Sequence, residues 1–413
     1  MRNIRLLSII DYTTFSGPHN HDLCLRKIFD DNGVDTTVLL PNEPGDALVR
    51  LRAGGVKVLT CPSHRRCAGV GRATIHARYL AAFARNVRFV RRAIREFDIN
   101  LVQLADPFHP HGAVAAKLEG CPVVTHVVGM GGSLAARMMG SLACRWADVI
   151  LSTGVRPRAA YPGLRRLRRH MVSYFPPIDI AMFRPDVDRK RAARAELGLA
   201  PEEIAIGYIA RLHPEKDHHT CVRGAALLHK RFPNVRFIMM GGVHGGYSEY
   251  LSSIWKTAEA LGLRPGTDVV HKDAGARVAD LAQAFDVGWS TGFQEGATSS
   301  VGEAMALGIP VVGAGNSAVR EMIEEGVSGF LVGVGQSEDL ARVTSALIED
   351  EMLRERMGRA ARERAVRLFS TEVCARLHLE AYDVALSGVS GNRRKRPDTW
   401  PATRKSDTAH IGS

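Results

Sequence analysis

Residues 286–314, DVGWSTGFQEGATSSVGEAMALGIPVVGA, predict a strand, a loop of small residues, a helix and a second strand. The apolar run that ends at Ser290 has strand length, and the small residues 296–300 lead into a helical pattern near Val301. Backbone N–H groups in such a loop and at the helix N-terminus are placed to bind an anion. The stretch therefore predicts an α/β domain with a phosphate-binding loop after a strand.

The same alternation of strand-length apolar runs and helix-length amphipathic segments covers most of the 413 residues. It extends from residues 4–10 to residues 149–152, restarts at residues 203–211 and continues to residues 309–313. This pattern predicts the α/β class, with two doubly wound, Rossmann-like domains facing across a cleft. In such sheets, ligands bind beyond the carboxyl ends of the strands.

Changes in this strand–helix pattern along the chain predict two domains, a final helix and a tail. Residues 176–200 are rich in Arg and Pro and poor in periodicity, so we place the linker there. We expect an N-terminal Rossmann-like domain at residues 1–183 and a C-terminal Rossmann-like domain at residues 184–370. A helix at residues 371–387 is expected to cross back to the first domain, and residues 388–413 are expected to be a disordered basic tail.

Composition excludes several classes of protein. With 45% hydrophobic and 24% charged residues, the chain has enough apolar material for a core and is not disordered as a whole. No apolar run reaches the ~20 residues that span a bilayer, and the N-terminus lacks a signal-peptide pattern. The seven scattered cysteines form no CxxC pair. We therefore expect a reduced, cytoplasmic protein.

The net charge of +12 is concentrated in the first half of the chain. Residues 1–190 carry 28 Lys and Arg against 15 Asp and Glu, whereas residues 191–390 carry 21 against 26. Few aromatic residues accompany the basic clusters and no nucleic-acid-binding motif is present, so we predict no nucleic-acid partner. An anionic membrane surface at the inner face of the membrane remains a possible partner. The apolar stripe of residues 76–97 fits either packing on the sheet or contact with lipid, and we favour packing.

Two pairs of charged residues are candidates for binding a ligand. Arg211 and Lys216 follow the strand-like run 203–211, where two cations suit a diphosphate, although each alone fits a solvated surface charge. Glu295 lies in the loop of residues 292–300, and Glu303 lies about one turn into the next helix. A carboxylate accepts paired hydrogen bonds from vicinal hydroxyls, so Glu303 suits a ribose. The alternative for both glutamates is a helix-end charge or a solvated helix residue.

Two candidates in the first half of the chain are less specific. His126 ends a buried strand, where a histidine is catalytic or structural, and Gly17 lies in the loop after the first strand, where it permits close approach of a ligand or forms a plain turn. The pairs His19/His21 and His109/His111 have no accompanying Cys/His set at ligand spacing. We therefore predict no metal site.

These motifs occur together in one known family. Residues 1–386 resemble the family-4 glycosyltransferases of the GT-B fold, whose signature is Glu-x7-Glu ahead of an EAMA-x-G-x-PVV run. Here that signature is Glu295, Glu303 and the run EAMALGIPVV at residues 303–312. Further matches are Gly207-x3-Arg211-x4-Lys216, the strand-end pair Thr125-His126, EMIEEGVSGFLV at residues 321–332, and LRERMGRAARERAVRLFS at residues 353–370.

The resemblance implies that residues 1–183 bind the acceptor and residues 184–370 bind the nucleotide sugar. It also implies a role for each candidate residue. Arg211 and Lys216 would hold the donor diphosphate, the backbone of Ser299, Ser300 and Val301 would bind phosphate, and Glu303 would bind the ribose. Glu295 would face the donor sugar at its reacting carbon, His126 would lie close to that sugar, and Gly17 would contact donor or acceptor. It also implies transfer with retained anomeric configuration and no cofactor or required metal; the nucleotide-diphosphate sugar is a substrate.

We thus expect a hexosyltransferase that moves a sugar to a saccharide acceptor, lipid-linked or part of the cell envelope. The basic first half predicts that this acceptor is anionic or membrane-embedded. Two other classes remain open on the same fold: a nucleotide-sugar epimerase or phosphorylase, and a non-catalytic protein that binds sugar nucleotides. An epimerase needs no acceptor, which separates it from the first hypothesis.

Overall fold

The computed structural model describes residues 3–61, 73–128, 134–155, 161–164, 170–243, 248–293, 297–315 and 319–388, without the side chains of residues 73–78, 135 and 136. The chain forms two compact units: the first unit contains Met1–Pro177 and Thr371–Ser413, and the second unit contains Ile178–Ser370. The predicted tail beyond residue 388, and most of the basic cluster at residues 156–169, lie outside the described residues.

The boundary between the units falls after residue 177 rather than after the predicted residue 183. The physical reason is a short β-bridge within the second unit. The backbone N–H of Ile178 donates to the carbonyl of Phe369 at 2.7 Å, and Ile178 pairs with Ser370. Because these bonds attach residue 178 to the end of the second unit, the boundary lies near the start of the Arg- and Pro-rich segment of residues 176–200.

Parallel strands form one sheet in the first unit. They are β1 (Ile4–Ile9), β2 (Val34–Pro41), β3 (Lys57–Cys61), β4 (Leu101–Leu104), β5 (Val123–Val127), β6 (Val149–Thr153) and β7 (His170–Tyr174). The helices before residue 178 are α1 (Gly17–Asp31), α2 (Ala47–Ala53), α3 (Ala73–Glu96), α4 (Pro110–Leu118) and α5 (Leu134–Ala143). The strand order β3-β2-β1-β4-β5-β6-β7 changes direction between β1 and β4.

The second unit repeats this plan. Its strands are β8 (Ile204–Ile209), β9 (Val235–Met240), β10 (Val269–Lys272), β11 (Val287–Ser290), β12 (Val311–Ala314) and β13 (Gly329–Val332), in the order β10-β9-β8-β11-β12-β13. Its helices are α6 (Val187–Glu196), α7 (His218–His229), α8 (Ser248–Ala260), α9 (Val278–Leu281), α10 (Ser299–Ala306), α11 (Val319–Met322), α12 (Ser337–Glu349) and α13 (Glu351–Phe369). The order changes direction between β8 and β11.

A final helix, α14 (Thr371–Ser387), belongs to the first unit although it follows the second unit in sequence. Its residues Leu377 and Tyr382 are buried in the same hydrophobic cluster as Phe29 of α1 and Val124 of β5. Both faces of the first sheet are therefore covered, with α1 and α14 on one side and α3 and α4 on the other. Parallel sheets buried on both faces read as continuous apolar runs, which explains strands such as IRLLSI.

Helix α3 uses its apolar stripe for packing. Val87, Val90 and Ile94 are buried against the first sheet, in agreement with the packing interpretation of residues 76–97. Two of its outward arginines, Arg91 and Arg95, pair with Glu119. Within the described part of the chain, no helix combines the length and hydropathy needed to cross a bilayer.

Candidate functional site

The strand order of the second unit defines a switch point where β8 and β11 lie side by side. In a doubly wound sheet, helices leave on opposite faces from this point, so the strand ends there are not covered by a crossing helix. The segment after β8 contains Arg211 and Lys216, and the segment after β11 leads to Ser299. The sequence-predicted residues of the second unit that the structure describes therefore follow the two strands of one switch point.

The segment after β8 is held in place by backbone contacts. Ala210 N–H donates to the carbonyl of Met240 at 2.9 Å, and Leu212 N–H donates to that of Gly242 at 3.1 Å. A Cβ at Gly241 would overlap the carbonyl group of Ala210, so this close approach requires glycine. Between these anchors Arg211 stays exposed, with its guanidinium 3.8 Å from the carboxylate of Glu215.

Lys216 ends a single 3₁₀ turn, Pro214–Lys216, that is fixed to the neighbouring strands. Its carbonyl oxygen accepts hydrogen bonds from the Tyr208 hydroxyl and the Thr291 hydroxyl, each at 3.0 Å. Asp217 then adopts a left-handed conformation and caps α7, with its carboxylate accepting from Thr220 N–H and Oγ1. The backbone that carries Lys216 is thus rigidly positioned between β8 and α7.

The two loops of the switch point are bonded directly to each other. Phe293 N–H donates to the carbonyl of Glu215 at 3.1 Å, and the Thr291 hydroxyl also lies 3.1 Å from the carbonyl of Asp217. These bonds join the end of β11 to the 3₁₀ turn that carries Lys216. The structure therefore brings together two motifs that are separated by about 80 residues in the sequence.

Helix α10 supplies the N-terminus predicted from the small residues. Thr298 precedes the helix in an extended conformation, and its hydroxyl lies 2.8 Å from that of Ser300. Ser299 and Ser300 are partly exposed, whereas Val301 is buried in the core. The first N–H groups of a helix have no intrahelical acceptor and carry a partial positive charge, so this turn is suited to a phosphate.

Glu303 lies one turn further along α10. The side chain is partly buried, and its carboxylate accepts no hydrogen bond from any residue that the structure describes. Burial raises the pKa of Glu303 to about 7. A carboxylate that is desolvated and has no partner is ready to accept hydrogen bonds from a ligand hydroxyl. Glu295, the other half of the predicted pair, lies outside the described residues.

Gly17 begins helix α1 of the first unit. A Cβ at this position would meet no atom within 4 Å, so packing does not explain the glycine. The preceding turn is closed by His19, whose Nδ1 accepts from Ser16 N–H at 3.2 Å while its Nε2 lies 3.1 Å from the Tyr12 carbonyl oxygen. His19 thus acts as the capping partner that Glu or Gln supplies in other helices.

His126 lies at the end of a buried strand, as predicted, and is the second-to-last residue of β5. It is 4% exposed, and its Nδ1 lies 2.7 Å from the Tyr174 hydroxyl. Strand alternation directs its side chain to the same face as Val124, the face that α14 covers. Burial and the neighbouring rings of His378 and His21 lower its pKa well below the ordinary value. Of the two alternatives for His126, its burial therefore favours the structural one, and the catalytic role stays a prediction.

A polar cluster that the sequence analysis missed lies at the switch point of the first unit. The ring of His109 is 3.1 Å from an Asp106 carboxylate oxygen and 3.7 Å from one of Asp11. Asp11 follows β1 and Asp106 follows β4, so the strand order brings them together. Although burial opposes it, the two carboxylates raise the pKa of His109 well above its ordinary value. The segment DPFHPH at residues 106–111, directly after a strand, carried the signal.

Two sets of side chains among the described residues have ligand atoms close enough to hold a metal ion. One is the cluster of Asp11, Asp106 and His109, and the other consists of His21, Cys374 and His378. In both sets, the ligand atoms lie within 4.8 Å of one another. Both sets belong to the first unit.

Comparison with known sequences finds a family model that matches within the second unit and relatives that match about half of the chain. Residues 189–364 fit the family model of "Glycosyl transferases group 1". A D-inositol 3-phosphate glycosyltransferase of Nocardia farcinica is 31% identical over 228 residues, which are 54% of this chain and 50% of that protein. The protein of the same name from Segniliparus rotundus is 34% identical over 215 residues, 52% of this chain and 46% of the relative. The chain spans about half the length of the curated relatives it matches.

Comparison with solved structures concerns the whole chain. The structure of Anabaena Alr3699/HepE in complex with UDP has a TM-score of 0.77, at 20% identity, over 92% of this chain and 100% of that one. At this identity the likeness establishes the fold. The prediction of two doubly wound Rossmann-like domains of the GT-B class is confirmed, and residues 189–364 are related to the group 1 glycosyltransferases.

Proposed function

We propose that this protein is a retaining hexosyltransferase of the family-4 type that uses a nucleotide-diphosphate sugar as donor. The observation that carries the proposal is the switch point of the second unit. There, hydrogen bonds from Phe293 and Thr291 hold the turn that carries Lys216 against the strand that leads to α10. Two cations and a helix N-terminus thereby belong to one edge of one sheet, within the segment that matches the family model.

The donor diphosphate is assigned to Arg211, Lys216 and the first turn of α10. Arg211 offers a forked pair of donors and Lys216 a compact charge, while Ser299, Ser300 and Val301 contribute backbone N–H groups. When the sugar–phosphate bond breaks, negative charge accumulates on the departing diphosphate. Groups that are already in place stabilise this charge without reorganisation, which is the largest effect available to such a site.

The remaining donor contacts follow from the two glutamates. Glu303, desolvated and free of hydrogen bonds within the described part of the chain, is assigned to the ribose hydroxyls. Glu295 is assigned to the donor sugar near its reacting carbon, on the strength of the Glu-x7-Glu spacing. His126 is left out of this assignment, because its side chain lies in the core of the first unit. No cofactor or metal is assigned to the transfer.

UDP-glucose is the donor with which we would begin. A solved structure of Anabaena Alr3699/HepE contains UDP-glucose. It matches 93% of this chain with a TM-score of 0.76 at 20% identity. A thermal-shift panel of UDP-, GDP- and ADP-glucose tests the choice. A ligand at 100 times its dissociation constant stabilises the folded state by about 2.7 kcal/mol, which gives a clear rise in melting temperature. A panel without any shift would contradict the proposal.

The acceptor is assigned to the basic first unit, as an anionic or lipid-linked saccharide of the cell envelope. Incubation with donor alone and with donor plus acceptor distinguishes a transferase from an epimerase, because only the epimerase changes the sugar without acceptor. The anomeric configuration of the product, read from its NMR coupling constants, tests retention. An inverted product would contradict the family-4 assignment.

Association with the inner membrane surface is proposed for the exposed row of α5 and the turn that follows it. This apolar row consists of Leu134, Met138, Leu142 and Trp146, spaced four residues apart and between 43% and 62% exposed. The exposed Arg145 lies beside it in sequence. An apolar stripe beside basic residues is typical of helices that bind anionic lipid.

Vesicle sedimentation tests the apolar row. We expect the chain to sediment with vesicles that contain anionic lipid and to be released when Met138 and Leu142 are both replaced by Asp. Met352→Asp is the matched control, because Met352 is 77% exposed but belongs to the second unit. Equal binding to neutral and anionic vesicles, or equal release by the control, would argue against the row.

A further inference from the structure

Two buried histidines and a cysteine meet where the two ends of the first unit's chain pack together. His21 lies on α1, and Cys374 and His378 lie one turn apart on α14. Their exposed fractions are 7%, 1% and 0%, and the donor site described above involves none of them. Because His21 lies more than 350 residues from Cys374 and His378 in the sequence, no local spacing reveals the complete set.

Hydrogen bonds fix the position of the proton on each imidazole ring. Nδ1 of His378 lies 2.8 Å from the carbonyl oxygen of Cys374, and Nδ1 of His21 lies 3.1 Å from a carboxylate oxygen of Asp22. A carbonyl oxygen only accepts hydrogen bonds, and so does an ionised carboxylate. Each Nδ1 therefore carries the proton and donates it. In the neutral rings, each Nε2 atom then carries a lone pair and no proton.

These two Nε2 atoms face each other at a distance of 3.0 Å. Two lone pairs at that distance repel, so the pair requires a positive charge, either a metal ion or an additional proton. The Sγ atom of Cys374 lies 3.9 Å from Nε2 of His21. In a tetrahedral zinc site, with Zn–N of about 2.0 Å and Zn–S of about 2.3 Å, ligand atoms are roughly 3.3–3.6 Å apart. The two measured distances differ from this range by only a few tenths of an ångström.

The surroundings of the cluster match those of metal-binding histidines. Such histidines donate their other N–H group to a carboxylate or a backbone carbonyl, and both His21 and His378 do so. His126 lies beside them, with its ring centroid 5.4 Å from that of His21 and 5.3 Å from that of His378. Its Nε2 is buried and has no hydrogen-bond partner among the described residues. The rings of three histidines and the thiol of Cys374 are thus packed together in the core of the first unit.

We propose that His21, Cys374 and His378 bind a divalent transition-metal ion, and that Zn²⁺ suits this set of two nitrogens and one sulfur best. On binding, the thiol of Cys374 releases its proton to solvent, and the thiolate and the two Nε2 lone pairs coordinate the ion. Water occupies the fourth position. The ion removes the repulsion between the two rings and ties α14 to α1. This site is independent of the proposed transfer reaction.

Titration of the metal-free full chain with Co²⁺ tests the proposal, since Co²⁺ bound to a thiolate has a charge-transfer absorption band. We expect one Co²⁺ per chain, loss of the band when Zn²⁺ is added, and a higher melting temperature with either ion. Cys374→Ala should abolish the band. Cys144→Ala, which changes another buried cysteine of the first unit, should retain it. Asp22→Asn should weaken binding about 10- to 100-fold, because Asp22 orients a ligand.

Titration of the wild-type chain with Co²⁺ tests the metal site even when a variant fails to fold. A folded wild-type chain that binds neither Co²⁺ nor Zn²⁺ would overturn the proposal and leave a shared proton as the link between His21 and His378. Loss of the charge-transfer band in Cys144→Ala, with the band intact in Cys374→Ala, would also overturn it. A stoichiometric band that depends on Cys374 supports it.

Discussion

The two units have the same topology but treat the polar residues that follow their strands in opposite ways. In the first unit, Asp106 and His109 follow β4, turn inward and pair with each other. In the second unit, Arg211 stays exposed and Glu303 keeps its carboxylate without a hydrogen bond in the described part of the chain. The comparison teaches that a position after a strand is not sufficient for a binding role. The side chain must also be left available by the core.

The largest effect is expected at Lys216. Its replacement by Ala removes a fixed positive charge from the proposed diphosphate site, and kcat/KM for the donor should fall about 10²- to 10³-fold. Lys256→Ala is the matched control, because Lys256 is an exposed lysine on α8 of the same unit. Steady-state kinetics with varied donor measure both variants. Similar losses in the two variants would mean that Lys216 has no special role.

Glu303→Gln should reduce donor affinity by about 10- to 100-fold at pH 8. This loss corresponds to the free energy that a hydrogen bond to a charged group contributes. Since the pKa of Glu303 is about 7, wild-type affinity should rise between pH 6 and pH 8 as the carboxylate forms. Calorimetric titration across this range should give a flat profile for the variant. Glu363→Gln, at an exposed position of α13, should keep the wild-type profile.

The same ionisation affects folding stability. The pKa of Glu303 in the folded chain lies above the ordinary 4.5, so the folded state binds its proton more tightly than the unfolded state does. This proton adds to the free energy of unfolding in full below pH 4.5, and the added stability is lost as pH rises through about 7. At pH 8 this loss amounts to up to about 3 kcal/mol. Glu303→Gln should therefore unfold at higher denaturant concentration than wild type at pH 8, but not at pH 4.5. Identical pH dependence in both chains would contradict the buried position of this carboxylate.

His126→Ala should separate stability from donor binding. The side chain is buried and hydrogen-bonded to Tyr174, so its loss should lower the free energy of unfolding by about 1–3 kcal/mol. Affinity for the donor should stay within twofold of wild type, because the donor is assigned to the second unit. Denaturant unfolding and calorimetric titration measure the two quantities. A large loss of donor affinity in a stable variant would restore the catalytic interpretation.

The smallest effect is expected at Asp217, the N-cap of α7. Asp217→Ala should lower the free energy of unfolding by about 1 kcal/mol through loss of the cap. Replacement by Asn should cost less, because Asn caps helices and tolerates the left-handed conformation that residue 217 adopts. Denaturant unfolding of the two variants distinguishes these effects. Equal losses would indicate that the charge of Asp217, rather than the cap, is what matters.

The sequence predicted the second unit better than the first, for physical reasons. The predicted phosphate-binding loop is local: strand, small residues and helix follow one another within residues 286–306, so periodicity and composition define it. The position of His126 depends on which face of β5 receives α14, a helix almost 250 residues away. The cluster of His21, Cys374 and His378 likewise forms only when α1 packs against α14. Contacts of such long range leave no pattern in a single sequence.

The most direct measurement is calorimetric titration of UDP into wild type, Lys216→Ala and Lys256→Ala. The proposed diphosphate site predicts one UDP per chain for wild type, an affinity within twofold for Lys256→Ala, and at least tenfold weaker binding for Lys216→Ala. If UDP, GDP and ADP all fail to bind the folded wild-type chain, or if the Lys216 variant binds as tightly as the control, the second unit does not hold a nucleotide diphosphate where we place it.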